Sequence, residues 1–420
     1  MFTIILTILA TIIVLLVIFN ATPGERKIQH RIRADYSVHE PQFFRTMGNL
    51  LGPSLLPGNR ITTLINGDQI FPAMLKAISE AKSTITLLTY IYWSGDIGKQ
   101  IAEALIERAK AGVKVHVLVD WFGSIKMDDH YLESMREEGI VIEKYRPPQL
   151  YTLAKLNIRT HRRILIVDGK IGFTGGVGIA DQWLGDADSP DHWRDSQYQL
   201  EGPAVAQMQA TFMDNWLVTK AEVLQGEGYF PPLEPVGNSY AQVYRSNPGE
   251  GSESVRLMYL LSFACARKSI RIGHAYFIPD RLSMELLVSA RKKGVKIEII
   301  LPGAKTDVPL VRSASRSRWK ALLKAGIKIY EYQPTMYHCK IIIVDDYWVS
   351  VGSTNFDNRS FHFNDEVNLN VMDAAFAEEQ VKYFEEDKKL ARRIYLEDWQ
   401  RRPVSEKAWE FVAGLVQSQL

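Results

Sequence analysis

The chain has 420 residues, of which 46% are hydrophobic and 23% are charged, a composition typical of a folded globular protein with a large core. Its formal net charge is only +2, which excludes the strongly basic character typical of nucleic-acid-binding proteins. The two cysteines, Cys265 and Cys339, lie in apolar stretches. They are therefore predicted to be buried thiols rather than a disulfide, and no Cys/His cluster has the spacing of a zinc site.

The N-terminal stretch from Phe2 to Phe19 is apolar and carries no charge, which is just long enough to span a bilayer. We expect an uncleaved transmembrane anchor over residues 1–20. A cleaved signal peptide is the alternative, but no basic residue precedes the run and no small-x-small cleavage site follows it. By the positive-inside rule, the basic residues that follow predict a cell-membrane protein whose main domain lies in the cytoplasm. These residues are Arg26, Lys27, Arg31 and Arg33.

Residues 21–58 are predicted to form a linker and juxtamembrane segment. Its apolar residues, among them Phe43, Phe44 and Leu50, could contact the membrane or pack on the domain, and both interpretations stay open. The rest of the chain divides into a first half, 59–235, and a second half, 236–420. A proline-rich stretch between Gly226 and Asn238 joins the two halves.

Hydrophobic periodicity predicts that strands and helices alternate in both halves. In the first half we expect strands at 60–65, 84–92 and 113–120, and helices at 70–82 and 97–111. In the second half we expect helices at 254–268 and 281–293, and strands at 269–277 and 294–301. This alternation is typical of an α/β fold, with a mostly parallel mixed sheet flanked by helices in each half.

One motif in the second half carries groups suited to a phosphate. His338 and Lys340 open a β-branched run that Asp345 closes, and alternation along a strand puts the two basic side chains on one face. The following stretch contains Ser353 and Asn355, which offer hydrogen-bond donors to a ligand.

The same layout occurs in the first half. His161, Arg163 and Asp168 have the internal spacing of His338, Lys340 and Asp345, and Gly176 corresponds to Ser353. Two copies with identical spacing indicate a duplicated unit. The copies also differ, because Gly178 stands where the second copy has Asn355.

The pair resembles the His-x-Lys-(x)4-Asp motifs of the phospholipase D superfamily, and the flanking residues are similar to its bacterial cardiolipin synthase branch. The matching segments are Asn157–His161, Gly172–Gly176, Trp193–Asp195, Gly352–Ser360 and Asn364–Glu366. The resemblance covers roughly residues 59–400 and implies two pseudo-symmetric halves that share one site. Arg163 departs from the family's lysine, which keeps the charge but changes its geometry.

The resemblance implies a role for each group. His161 would be the nucleophile, His338 the general acid and base, and Asp195 and Glu366 the carboxylates that orient the histidines. Lys340 and Arg163 would neutralise phosphate oxygens, so that we expect neither a metal nor another cofactor. We group Asp168 and Asp345 with the catalytic residues, and Ser353, Asn355 and Gly176 with the phosphate-binding ones.

We therefore predict a cardiolipin synthase-like phosphatidyltransferase that works on phosphatidylglycerol at the membrane through a phosphohistidine. A membrane phospholipase D that hydrolyses its substrate or exchanges a headgroup remains an alternative. So does a nuclease, although the membrane anchor and the near-neutral charge lead us to expect no nucleic-acid partner. A non-catalytic lipid-binding scaffold is the third alternative, and the sequence does not determine the oligomeric state.

Overall fold

The structure, a computed structural model, describes residues 2–21, 28, 32–149, 157–248 and 254–415. The helices are α1 (Phe2–Ala21), α2 (Pro41–Leu50), α3 (Asn66–Ser79), α4 (Asp96–Lys110), α5 (Asp129–Glu137), α6 (Val205–Lys220), α7 (Ser254–Cys265), α8 (Arg281–Lys292), α9 (Pro309–Lys324), α10 (Asn358–His362), α11 (Ala374–Lys389), α12 (Leu396–Arg401) and α13 (Val404–Leu415). The basic residues Arg26, Lys27 and Arg31 of the predicted juxtamembrane segment lie outside the described residues.

The strands of the first part of the chain are β1 (Leu56–Ile65), β2 (Thr84–Thr89), β3 (Lys114–Asp120), β4 (Val141–Tyr145), β5 (Arg159–Thr160), β6 (Ile164–Val167), β7 (Ile171–Gly175) and β8 (Ser196–Glu201). Those of the second part are β9 (Ser239–Ser246), β10 (Ser269–His274), β11 (Lys296–Pro302), β12 (Lys328–Tyr332), β13 (Lys340–Val344), β14 (Trp348–Gly352), β15 (Asn364–Met372) and β16 (Ala391–Ile394). The predicted alternation of strands and helices is present in both parts.

All of these strands belong to one mixed sheet with helices packed on it. Its order is β16-β12-β11-β10-β13-β14-β15-β9-β1-β8-β7-β6-β2-β3-β4, and β5 pairs with β15 outside this path. The prediction of a mostly parallel sheet is wrong, because only β2-β3-β4, β10-β11-β12 and the β5–β15 pair are parallel. The motif strands β6 to β8 and β13 to β15 pair antiparallel instead.

Short turns explain this antiparallel pairing. β6 and β7 are joined at Asp168 and Gly169, whose φ angles are 53° and 62°, and β13 and β14 at Asp345 and Asp346, with φ angles of 53° and 54°. Residues with positive φ reverse the chain in a tight hairpin, whereas a parallel neighbour needs a long crossover. All residues of β6 and β13 are buried, as their apolar sequences predict.

The two parts of the chain are interleaved where the motifs begin. β1 pairs with β9, which continues the sheet from one part into the other. In addition, the backbone N–H of His161 donates to the carbonyl of Asp365 at 2.9 Å, and that of His338 to the carbonyl of Arg194 at 2.8 Å. Each histidine therefore starts its motif strand against a segment of the opposite part.

The segment before β1 packs partly on the domain. Phe43 in α2 is fully buried and contacts the ring of Trp348 edge-on, with centroids 6.2 Å apart, whereas Leu50 at the end of the helix is 61% exposed. The domain-packing interpretation therefore holds for Phe43. Among the described residues, no helix is both long and apolar enough to cross a membrane. Both cysteines are buried free thiols, as predicted.

Candidate active site

The first histidine of the repeated motif is held by a carboxylate and a guanidinium. His161 directly follows β5 and lies three residues before the start of β6, and its Nδ1 is 2.9 and 3.0 Å from the two carboxylate oxygens of Glu366. Its Nε2 is 3.0 Å from Nη2 of Arg163. All three side chains are buried, and Glu366 comes from β15 in the second part of the chain.

The second histidine has matching partners. Nδ1 of His338 is 2.6 Å from Oδ2 of Asp195. Nζ of Lys340 lies beside the ring, 3.0 Å from Nδ1 and 3.2 Å from Nε2 of His338. The same ammonium group donates to the backbone carbonyl of His338 at 2.5 Å. Asp195 belongs to the first part of the chain, so each part supplies the carboxylate that orients the other part's histidine.

The donor groups around the rings determine the tautomers. Arginine has only donors, so Nε2 of His161 must carry the lone pair that accepts from Arg163, and Nδ1–H donates to Glu366. In the same way Nδ1–H of His338 donates to Asp195, and its Nε2 accepts from Lys340. Both Nε2 atoms therefore carry a lone pair, and both rings are neutral in the substrate-free protein.

Electrostatics agree with neutral rings. Burial lowers the pKa of His161 to about 4, aided by Arg163 and opposed by Glu366. Burial likewise lowers the pKa of His338 to about 4, aided by Lys340 and opposed by Asp195. Burial also lowers the pKa of Lys340 to about 8. Because the charge of Lys340 acts on His161, and that of Arg163 on His338, the two motifs form one electrostatic unit.

The carboxylate of Glu366 is held by further donors. The Ser353 hydroxyl donates to it at 2.5 Å and the Asn364 amide at 3.2 Å. Ser353 therefore contacts the carboxylate that orients a histidine. Oδ1 of Asn355 is buried and has no hydrogen-bond partner within the described part of the chain, and the backbone N–H of Asn355 donates to Ser360 at 3.2 Å.

Close neighbours account for the two glycines of the first motif, Asp195 for Gly176 and both Ile91 and Trp183 for Gly178. A Cβ on Gly176 would lie 2.2 Å from Oδ1 of Asp195, and one on Gly178 would lie 2.9 Å from Cβ of Ile91 and 3.1 Å from the Trp183 ring. Nε1 of Trp183 donates to Oδ2 of Asp195 at 3.0 Å. Trp183 thus supplies the donor that Ser353 supplies in the second part, and its ring fills the space of an asparagine side chain.

Asp168 and Asp345 do not join the histidine cluster. Asp168 accepts from the backbone N–H groups of residues 82–84 at 2.7–2.9 Å, and Asp345 accepts from those of residues 267–269 at 2.7–2.9 Å. Each lies at the opposite end of its strand from the histidine, and seven residues of extended chain span about 23 Å. Their hydrogen bonds in the structure are with backbone N–H groups and not with the histidines, so their grouping with the catalytic residues stays a prediction.

Aromatic side chains next to the histidines were not among the candidates. Trp183 and Trp193 lie 5.3 and 5.4 Å from the ring of His338, and Tyr90 lies 5.1 Å from the ring of His161. A signal for Trp183 was present, because the glycines at 176 and 178 imply that another group fills that space. Tyr90 gave no such signal, since it lies in an ordinary apolar strand sequence.

The arrangement suits transfer of a phosphorus-containing group. Two imidazoles with free lone pairs, each oriented by a carboxylate and each beside a cation, supply a nucleophile, a proton carrier and charge neutralisation. In the part of the chain that the structure describes, no group of three or more His, Cys, Asp or Glu side chains could hold a metal ion. Placed on one mixed α/β sheet, this paired site defines a phospholipase D-type protein.

Comparisons with known proteins agree with the assignment to the phospholipase D type. A family model described as cardiolipin synthase, PLD-like domain, matches residues 74–215 and 260–388. Cardiolipin synthase 1 of Bacillus cereus is 36% identical over 392 residues, which cover 90% of this chain and 76% of the relative. The major cardiolipin synthase of Bacillus subtilis is 35% identical over 361 residues, which cover 85% of this chain and 75% of the relative. The chain belongs to the cardiolipin synthase branch of the phospholipase D superfamily.

A solved structure shows the same fold at low sequence identity. The crystal structure of phosphatidylserine synthase from Haemophilus influenzae matches with a TM-score of 0.70 and 14% identity, over 90% of this chain and 99% of that chain. At this level of identity the likeness concerns the fold only. It agrees with the large mixed sheet described above.

Proposed function

We propose that this protein is a phosphatidyltransferase that makes cardiolipin and glycerol from two molecules of phosphatidylglycerol. The observation that carries the proposal is the pair of buried histidines, each bonded to a carboxylate of the opposite part of the chain, in a member of the cardiolipin synthase family. The reaction then proceeds in two steps through a covalent intermediate on His161.

In the first step, Nε2 of His161 attacks the phosphorus of the first phosphatidylglycerol. The bond from phosphorus to the glycerol oxygen breaks, and that oxygen takes a proton from Nε2 of His338 as glycerol leaves. Glu366 stabilises the positive charge that develops on the His161 ring. Arg163 and Lys340, which bond the ring nitrogens in the free protein, move to the phosphate oxygens.

His338 takes up its proton from solvent when the substrate binds. The pKa of the free ring is about 4, because burial and Lys340 disfavour its charged form. A bound phosphodiester places a negative charge beside the ring and draws Lys340 away, and both changes raise the pKa of His338. Binding therefore favours the protonated acid that the first step consumes.

In the second step, the free glycerol hydroxyl of another phosphatidylglycerol replaces the departed glycerol. Nε2 of His338 accepts the hydroxyl proton, the hydroxyl oxygen attacks phosphorus, and the bond to His161 breaks. The His161 ring is neutral again, and His338 has regained the proton that it gave to glycerol. When cardiolipin leaves, the pKa of His338 falls back to about 4 and the ring loses this proton to solvent. Water in place of the lipid alcohol would give phosphatidic acid, so exclusion of water by the buried cleft decides between transfer and hydrolysis.

We also propose a membrane location with the domain in the cytoplasm. Its support is the uncharged helix α1, whose apolar side chains from Phe2 to Leu15 are exposed, and the nature of the substrate. The finer proposal of a single-pass anchor over residues 1–20 rests on the sequence alone. The halves 59–235 and 236–420 are proposed as duplicated, pseudo-symmetric units, supported by the similar strand order on either side of the β1–β9 pair.

The test incubates detergent-purified protein with labelled phosphatidylglycerol, without added metal, and resolves the products. Wild-type protein should give cardiolipin and glycerol in equal amounts, whereas His161→Ala and His338→Ala should give neither. Phosphatidic acid as the main product would identify a hydrolase. Absence of any product from wild-type protein would contradict the proposed activity and favour a scaffold.

A further inference from the structure

Three arginines that the proposed chemistry does not use lie beside the first histidine. Arg159 is in β5, two residues before His161, so that both side chains leave the extended chain on the same side. The charges of Arg146 and Arg359 both act on Arg159. We call Arg146, Arg159 and Arg359 the arginine cluster.

The arginine cluster has donors without acceptors. Nη1 of Arg159 and Nη1 of Arg146 are both buried and have no hydrogen-bond partner among the residues that the structure describes, and Arg159 is only 8% exposed. Arg359 is held in place by Asn157, to which it donates at 3.0 and 3.3 Å. Unmet buried guanidinium donors are costly, so the protein gains when an anion fills the site.

The carboxylates near the cluster already accept hydrogen bonds from other groups. Asp120 faces Arg159, but its oxygens accept from the backbone N–H groups of Phe122, Gly123 and Thr160 at 2.9–3.1 Å. Asp365, whose pKa is affected by the charges of Arg162 and Arg146, accepts from the Asn215 amide at 2.7 Å. Neither carboxylate satisfies the buried Nη1 atoms.

Tyr90 connects the cluster to the reacting centre. Its ring lies 5.1 Å from that of His161. Burial raises the pKa of its phenol, and the positive charges of Arg359, Arg159 and Arg163 oppose that rise. Arg163 belongs to the transfer site, whereas Arg159 and Arg359 belong to the cluster. Tyr90 therefore interacts electrostatically with both the transfer site and the cluster.

We propose that the arginine cluster binds a second phosphate group, that of the acceptor phosphatidylglycerol, while the first phosphate is bound at His161 and His338. This inference rests on the proposed transferase function. In the product, a single glycerol bridges the two phosphates. Arg159 and His161 are two residues apart in extended chain, so their α-carbons lie about 7 Å apart with both side chains on one side, close enough for one glycerol to join a phosphate at each side chain.

The consequence is selection of the acceptor. The acceptor phosphatidylglycerol has a phosphate on the same glycerol as its free hydroxyl, and the arginines would hold that phosphate by charge-assisted hydrogen bonds. Water and free glycerol have no phosphate for the arginines to hold. The cluster thus favours an anionic lipid alcohol over the small neutral alcohols present around it. Planar guanidinium groups fit phosphate oxygens in pairs, which also orients the hydroxyl.

The test compares two acceptors in the same enzyme. Labelled phosphatidylglycerol is the donor, and either unlabelled phosphatidylglycerol or free glycerol is the acceptor, the latter measured as headgroup exchange. For Arg159→Gln we expect cardiolipin formation to fall about tenfold or more, with glycerol exchange within about twofold of wild type. Arg159→Lys, which keeps the charge, should recover part of the loss.

Controls separate this proposal from the proposed function itself. Lys144→Gln removes a positive charge from the neighbouring strand β4, where Lys144 contacts Asp129 at 3.9 Å, and should leave both rates unchanged. If Arg159→Gln does not fold, the more exposed Arg359→Gln replaces it. Inorganic phosphate also reaches the transfer site, so in wild-type protein it should inhibit cardiolipin formation at lower concentration than glycerol exchange. In Arg159→Gln it should inhibit both at the same concentration, and equal inhibition of both reactions in wild-type protein would contradict the phosphate subsite.

If the cluster variants lose cardiolipin formation and glycerol exchange to the same extent, the proposal is overturned, because that result is expected when the arginines only stabilise the structure. Unchanged cardiolipin formation would overturn it as well. Failure of wild-type protein to make cardiolipin is a different outcome, since it contradicts the transferase function and not the phosphate subsite alone.

Discussion

The carboxylate of Glu366 offers the most informative single change. Both of its oxygens lie within 3.0 Å of Nδ1 of His161, and the ring becomes positively charged when its other nitrogen bonds phosphorus. Glu366→Gln keeps the shape and an oxygen to accept Nδ1–H, but it removes the negative charge. Because that charge interacts more strongly with the intermediate than with the neutral ring, its loss should raise the barrier.

The magnitude follows from the hydrogen bond that changes. A hydrogen bond to a charged group contributes about 1.5–3 kcal/mol, which corresponds to a loss of kcat of roughly 10- to 150-fold. The pKa of His161 should fall below its value of about 4, because Glu366 raises it in the native protein. Any acidic limb of the rate profile caused by protonation of His161 should therefore move to lower pH.

The assay is cardiolipin formation measured over a pH series, together with thermal unfolding. Glu331→Gln is a matched control, because Glu331 is also a buried glutamate and pairs with Arg312, Arg316 and Arg392 away from the histidines. It should lower stability and leave kcat of the folded protein unchanged. An unchanged kcat in Glu366→Gln, or an acidic limb that moves to higher pH, would refute the reasoning.

Three further predictions concern the same site. First, kcat/KM should fall above pH about 8 as Lys340 loses its proton, and Lys340→Arg should remove that alkaline limb from the rate profile, since arginine stays charged. Second, Gly178→Asn should destabilise the protein by about 1–3 kcal/mol in chemical denaturation instead of improving activity, because the ring of Trp183 fills the space. A more active, equally stable variant would contradict this. Third, Asp168→Asn should lower the melting temperature, with a loss of about 1–3 kcal/mol from its backbone hydrogen bonds, while kcat per folded molecule stays the same; a large drop in kcat would mean that the residue takes part in the chemistry.

The repeated motif was visible in the sequence because its parts are local. The spacing from His338 to Asp345 and its copy from His161 to Asp168 determine two similar hairpins, and the buried apolar strands followed from composition. The antiparallel pairing was also encoded, since Asp168-Gly169 is a typical hairpin turn. The prediction of a mostly parallel sheet gave too much weight to the alternation of helices and strands.

Contacts between segments that are far apart in the sequence could not be predicted from local sequence patterns. Glu366 and Asp195 were candidates only through the family resemblance, because nothing local places them against a histidine of the other part. Trp183 ends a short 3-10 helix, Asp181–Trp183, and its contact with Asp195 depends on how that segment packs against the motif. The positions of Asp168 and Asp345 could have been foreseen, since a strand of their length keeps its two ends far apart.

The covalent intermediate on His161 is the central claim, and it can be measured directly. Phosphatidylglycerol labelled on phosphorus is mixed with wild-type protein, quenched within a turnover and digested, and the labelled peptide is identified by mass spectrometry. The two-step transfer predicts label on the peptide that contains His161 and none on the peptide that contains His338. Label on His338, or cardiolipin formed without any labelled peptide, would contradict it.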